Sequence, residues 1–162
     1  MEKKYKLTEE TIKVEGSILY RIEALQDFAD VKRGDKGGYV EKEENLSQSG
    51  DCWIYNDAMV YGKAQVCGDA MVCGDALVCD DAMVYGDAMV YGDAMVYGDA
   101  QIYNDAIVYG NAEIYGNVYV YGNAMVLGFA KVYGNAIVHD NAKIYGDAEV
   151  YGDAIVCGNA KV

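Results

Sequence analysis

From Ile54 to Val162 the chain repeats every six residues without an insertion or deletion. Val60-Tyr61-Gly62-Lys63-Ala64-Gln65, Val84-Tyr85-Gly86-Asp87-Ala88-Met89 and Val150-Tyr151-Gly152-Asp153-Ala154-Ile155 are three of its units. All 19 residues in the Ile54 phase are Val or Ile, and 17 of the 18 residues four places further on are Ala, Val118 being the exception. A period of six is a multiple of the strand period of two, and it fits neither the 3.6-residue helix nor the heptad. Self-similarity of this kind specifies a solenoid before any other consideration enters.

In a Met-Val-Tyr triplet the Val faces one way and its two neighbours the other. The Gly-Asp or Gly-Asn pair that follows tolerates positive φ and turns the chain. The next Ala is small enough to sit inside the corner. Strand and corner therefore alternate, with Val/Ile and Ala filling the interior of a prism. Three sides are the simplest closure, giving coils of 18 residues stacked about 4.8 Å apart and a rod about 29 Å long over the clean repeat. The chain contains no proline, as expected where nearly every backbone N–H donates to a neighbouring coil.

These units resemble the hexapeptide-repeat superfamily, whose motif is an aliphatic residue, two or three turn residues, a small residue and a variable one. The resemblance covers about two-thirds of the chain and implies an all-β fold, a three-sided left-handed parallel β-helix. The left hand comes from the resemblance alone, since parallel crossovers in general are right-handed. Many superfamily members are trimeric acyltransferases. Gly37-Gly38-Tyr39-Val40-Glu41 and Glu44-Asn45-Leu46-Ser47 look like a loop-free branch met in phages, prophages and bacteria and often labelled as transferases.

Residues 1–37 lack the repeat and read as a cap over the first coil, with residues 38–162 forming about seven coils. Thr11-Ile12-Lys13-Val14 and Ile18-Leu19-Tyr20-Arg21-Ile22, joined at Glu15-Gly16-Ser17, read as a β-hairpin. Ala24 to Asp30 reads as a short helical turn or irregular chain. Lys3, Lys4, Lys6, Lys13, Arg21, Lys32, Arg33 and Lys36 all fall in this segment, so a basic docking surface is the alternative to a plain cap. Val40, Leu46 and Cys52 precede Ala58 at intervals of six and are expected at the small inward corner. Lys42 and Gln48 would then face inward, which calls for a distorted first coil. Neither a signal peptide nor an apolar run of membrane-spanning length is present. The net charge of −13 argues against nucleic acid or an anionic membrane as partner, and a cytoplasmic protein is expected.

Residues 18 apart stack on one outer face. One column runs Trp53, Met71, Met89, Ile107, Met125, Lys143 and Lys161, another Met59, Leu77, Met95, Glu113, Lys131 and Glu149, and a third Gln65, Met83, Gln101, Tyr119, Ile137 and Ile155. Tyrosine ladders such as Tyr97, Tyr115, Tyr133 and Tyr151 stand beside them. Outward Met and Tyr at this density form apolar patches that monomers rarely leave bare. Trp53, Met71, Met89, Ile107 and Met125 are therefore interface candidates. The chain also stops in phase at Lys161-Val162, where an open last coil would be a template for pairing. A C-terminal end-to-end dimer is favoured over a lateral trimer. The corners carry acidic ladders: Asp57, Asp75 and Asp93; Asp81 and Asp99; Asp69, Asp87 and Asp105. They read as turn chemistry with a solubilising surplus of charge, alternatively as a surface for a basic protein partner or a mimic of nucleic acid.

Catalytic signals are few. His139 is the sole histidine and, by resemblance to the acyltransferases, the one candidate general base. Those enzymes bind their substrates with loops thrown out from the coils, and no loop interrupts the repeat here. Zinc-dependent carbonic anhydrases of this fold need three histidine ligands, which one histidine per chain does not supply. Cys67, Cys73 and Cys79 are each six apart, so they point to different sides and share no metal. Cys52 is expected inward and Cys157 near the far end, with no disulfide among the five. No phosphate loop, nucleophile elbow or dinucleotide fingerprint occurs. The expectation is a non-enzymatic oligomeric binding or structural module without cofactor or metal, of the kind a phage uses to engage a host protein. An acyltransferase with its site between subunits is the alternative.

Overall fold

The computed structural model describes residues 2–162. Two long strands, β1 (Tyr5–Val14) and β2 (Ser17–Ala24), form an antiparallel hairpin turned at Glu15-Gly16. β2 pairs antiparallel with β3 (Lys36–Val40), and β3 pairs in parallel with Met59–Val60. The hairpin thus extends one wall of the solenoid, and β1 is longer than the sequence pattern suggested. Between β2 and β3 the chain is irregular, with a β-bridge from Phe28 to Val31 among its hydrogen bonds and no helical turn at 24–30.

After β3 every strand is two residues long, and three parallel sheets make the walls. The first wall continues from β3 through Met59–Val60, Leu77–Val78, Met95–Val96, Glu113–Ile114 and Lys131–Val132 to Glu149–Val150. The second runs from Trp53–Ile54 to Lys143–Ile144, and the third from Gln65–Val66 to Ile155–Val156. Partners are 18 residues apart throughout, as in Met89 with Ile107 and Met125 with Lys143. The fold is all-β with three parallel walls, in agreement with the three-sided left-handed parallel β-helix that the resemblance implies.

The interior follows from residue size. The Val/Ile rungs from Ile54 to Ile144 and the Ala corners from Ala58 to Ala142 are sealed from solvent, Val118 among them. At the corner the position after the Tyr rung takes positive φ. Glycine usually stands there, and Asn56, Asp80, Asn104 and Asp140 do so at φ 56–60°. Asx residues are the side-chain-bearing residues best suited to this region. Three of them also reach the next coil: Asn56 Oδ1, Asp80 Oδ2 and Asp140 Oδ2 accept the N–H of Gly74, Gly98 and Gly158 at 3.1, 3.1 and 3.0 Å.

The first coil corrects the sequence reading. Val40 pairs with Val60 and Leu46 with Val66, a step of 20. Both therefore stand on aliphatic rungs, and only Cys52 occupies an Ala corner. Gly38 takes the corner below Ala58, where a Cβ would lie 2.4 Å from the Ala58 carbonyl oxygen. The two additional residues, Gln48 and Ser49, bulge from the corner between Ser47 and Gly50. That bulge restores the 18-residue step and leaves Lys42 exposed and Gln48 half-buried. Gln48 Oε1 accepts the backbone N–H of Lys4 at 2.8 Å, so the bulge anchors β1. Asn45, fully buried, accepts the N–H groups of Glu41 and Lys42 and donates to the carbonyls of Gly62 and Ala64.

The cap closes this end. Tyr5, Ile22, Ala24 and Val31 join the solenoid core, while Leu19 packs with Tyr39, Tyr61 and Cys79 outside the first wall. Lys4, 3% exposed, donates its ammonium to the carbonyls of Cys52 and Gly50 at 2.7 and 3.1 Å. Lys3, Lys6, Arg21 and Lys36 each lie within 4.0 Å of a carboxylate. Lys3, Lys4 and Arg21 thus tie the cap to the first coils, while Lys6 and Lys36 pair within the cap itself.

Candidate functional site

With the core filled by Val, Ile and Ala, chemistry is confined to the outer walls and three edges. The predicted columns are the observed ones. On the second wall Met71, Met89, Ile107 and Met125 lie side by side, each half-buried by its neighbours in the column. Trp53 heads the same column but is covered by the chain itself. It is 1% exposed, with Phe28 edge-on at 5.2 Å and Tyr5 at 6.1 Å. Its place as a subunit contact is therefore corrected: the cap occupies that surface. Lys161 and Val162 are exposed in the last coil.

The tyrosine ladders stack face to face. Tyr85, Tyr103 and Tyr121 have centroids 4.9 Å apart, and Tyr97, Tyr115 and Tyr133 5.0 Å apart. The coil rise holds the rings at stacking distance, so each ladder covers its own faces. The eight acidic-ladder residues Asp57, Asp69, Asp75, Asp81, Asp87, Asp93, Asp99 and Asp105 are all exposed at the edges. Asp57 is drawn to the cap by Arg21 at 3.0 Å, and Asp69 accepts the N–H of Asp51 at 3.0 Å. Phe129 interrupts one acidic edge, standing 63% exposed where the other coils have Asp or Asn. A shallow depression of about 410 Å³ lies beside it, lined by Asp93, Met95, Asn111, Glu113, Phe129 and Lys131. Another of about 450 Å³ lies in the first coils between Lys42, Glu44, Lys63, Gln65, Asp81 and Met83.

His139 stands on a ladder rung, its ring 5.0 Å from Tyr121 and within 5° of parallel. Nδ1 is 3.2 Å from Asp140 Oδ1. The N–H of Gly158, and then His139, hold the Asp140 carboxyl below its usual range. Sequence reasoning weighed His139 alone and missed its companions. Cys157 is the next rung of the same ladder, and donor atoms of His139, Asp140 and Cys157 lie within 4.8 Å of one another. The signal was present in the 18-residue spacing between His139 and Cys157. Cys67, Cys73 and Cys79 stand on different walls, and burial raises all three thiols, Cys79 to about 11. No helix of the described residues is long and apolar enough to cross a membrane.

Comparison with known proteins places the repeat among characterised sequence patterns. Residues 54–68, 64–80 and 100–116 match the family model described as YdcK β-solenoid repeat. Over 62 residues the chain is 39% identical to the uncharacterized acetyltransferase YdcK of Escherichia coli (strain K12). That stretch covers 33% of this chain and 19% of the relative, so the similarity spans about a fifth of the curated protein.

Proposed function

We propose that this six-residue-repeat β-solenoid is a non-enzymatic binding or structural module engaging a protein with a basic surface. The observation that carries this reading is the unbroken six-residue step from Ile54 to Val162. Loops that would wall a substrate cleft have nowhere to leave the coils, so recognition falls to flat walls and acidic edges. The edges offer carboxylates at the spacing of the coils, and the half-buried Met and Ile column of the second wall offers apolar area between them. Complementary charge of this kind steers and orients a partner more than it adds affinity. Self-association through Met71, Met89, Ile107 and Met125 belongs to the same proposal and is read by light scattering with and without Met89→Glu.

The test is capture of partners from a bacterial lysate by the intact protein and by a variant with Asp87, Asp93 and Asp99 replaced by Asn. A specific partner retained by the intact protein, released by salt and lost by the variant supports the reading. Retention unaffected by either salt or substitution overturns it. An acyltransferase with a site between subunits is the second reading, favoured by the local similarity to a protein named as an uncharacterized acetyltransferase. Stabilisation by acetyl-CoA in a thermal shift, abolished by His139→Ala, would establish it in place of the first.

A further inference from the structure

We propose that His139, Asp140 and Cys157 form a surface site for a thiophilic divalent transition-metal ion of the Zn²⁺ class. Three features of the coil converge on it. His139 and Cys157 are successive rungs of one ladder, so the stacking rise brings an imidazole and a thiol together. Asp140 occupies the corner position that most coils give to glycine, at φ 59°, which turns its side chain toward the next coil. There Oδ2 accepts the N–H of Gly158 at 3.0 Å, leaving Oδ1 3.2 Å from His139 Nδ1.

Zn²⁺ takes nitrogen and oxygen donors at about 2.0–2.2 Å and sulfur at about 2.3 Å, which in a tetrahedron separates the donors by about 3.3–3.8 Å. The His139–Asp140 pair already stands near that separation, and the whole set lies within 4.8 Å. Closing the remainder takes about 1 Å of side-chain rotation at exposed positions. Two outer contacts pre-orient the ligands: Tyr121 stacks on the imidazole and Gly158 holds the carboxylate. Such contacts tune metal affinity as ligands do. Imidazole with thiolate selects Zn²⁺, Co²⁺ or Ni²⁺ over Mg²⁺ and Ca²⁺, and the fourth position faces solvent.

The fold supplies an internal control. Cys79 and Asp80 repeat the same corner, with Asp80 Oδ2 accepting Gly98 N–H at 3.1 Å. The adjacent rungs there are Tyr61 and Tyr97 instead of histidine, and Cys79 is 8% exposed. The acidic edges provide oxygen donors without sulfur or nitrogen.

The experiment is titration of the full chain with Co²⁺ and with Zn²⁺ under reducing conditions, reading absorbance and calorimetric heat. One Co²⁺ per chain with a thiolate-to-cobalt charge-transfer band, displaced by Zn²⁺ and not by excess Mg²⁺, is expected. Cys157→Ser should abolish the band, and His139→Ala should weaken binding at least about 10–100-fold, the range seen when even outer-sphere partners are lost. Cys79→Ser should leave both unchanged. Circular dichroism confirms that each variant keeps its sheet content. Absence of the band, its persistence in Cys157→Ser, or displacement by Mg²⁺ as effective as by Zn²⁺ overturns the proposal, the last assigning the metal to the acidic edges.

Discussion

The corner glycines from Gly62 to Gly134 each lie against the backbone of the next coil, so a single Cβ there is felt. At Gly86, φ +69°, an added Cβ would stand 2.9 Å from the Asn104 nitrogen. Ala meets both that contact and the left-handed backbone penalty of about 1–2 kcal/mol. Asn meets the same contact, but its oxygen can accept the Asn104 N–H, as Asn56 Oδ1 accepts that of Gly74. Gly86→Ala should therefore lower stability by at least about 1 kcal/mol, and Gly86→Asn by clearly less, in urea unfolding followed by circular dichroism. Equal losses would show that the cross-coil bond contributes nothing. This rule was legible in the sequence, because Asn and Asp replace Gly at this phase and no other residue does. Val118 was legible only as an exception. It is sealed in the core like the alanines, and Gly116 beside it has opened to φ 80°.

At the scale of elements the first coil carries more constraint than any later one. Asn45 satisfies four backbone groups from full burial. Asn45→Ala strands them and should cost at least about 1–3 kcal/mol, the penalty for even one unsatisfied buried group. The measurement is denaturant unfolding followed by Trp53, the single tryptophan, whose emission reports cap docking because Tyr5 and Phe28 cover it. An unchanged midpoint would remove Asn45 from this role. A second prediction concerns the phenols under and beside the cap. Burial foremost raises Tyr5, Tyr55 and Tyr61 well above the usual tyrosine range, with Glu43, the Asp30 hydrogen bond and Cys79 adding to it respectively. The folded state thus favours their neutral forms. Stability from this source is intact below the unfolded tyrosine value of about 10 and falls as pH rises above it. Alkaline titration should show these phenols ionising only as the cap unfolds. Ionisation of Tyr5, Tyr55 and Tyr61 before the cap unfolds would contradict the assignment.

For the whole molecule the dominant long-range term is its own charge. A net −13 with aspartates stacked along the edges is self-repulsive, and salt screens exposed charges beyond about 10 Å at 0.1 M. Raising ionic strength from about 0.01 to 0.3 M should increase the Tm, and Asp87→Asn should increase it at low salt with little effect at high salt. Asp87 stands between Asp69 and Asp105. A Tm indifferent to salt would mean that the edges repel too weakly to matter.

By itself the sequence determined the prism, its three walls, the register of every column from Ile54 onward and the outward position of His139. Those features depend only on a local period, and a period of six repeated without error has one consistent way to stack. Tertiary structure decided the rest, because it brings together residues whose separation carries no period. The cap claims Trp53, the Gln48-Ser49 bulge moves Val40 and Leu46 onto aliphatic rungs, and Asp140 joins the ladder of His139 and Cys157 by turning along the axis. Each outcome comes from a departure from the repeat, where the neighbours in space are set by how the chain closes on itself.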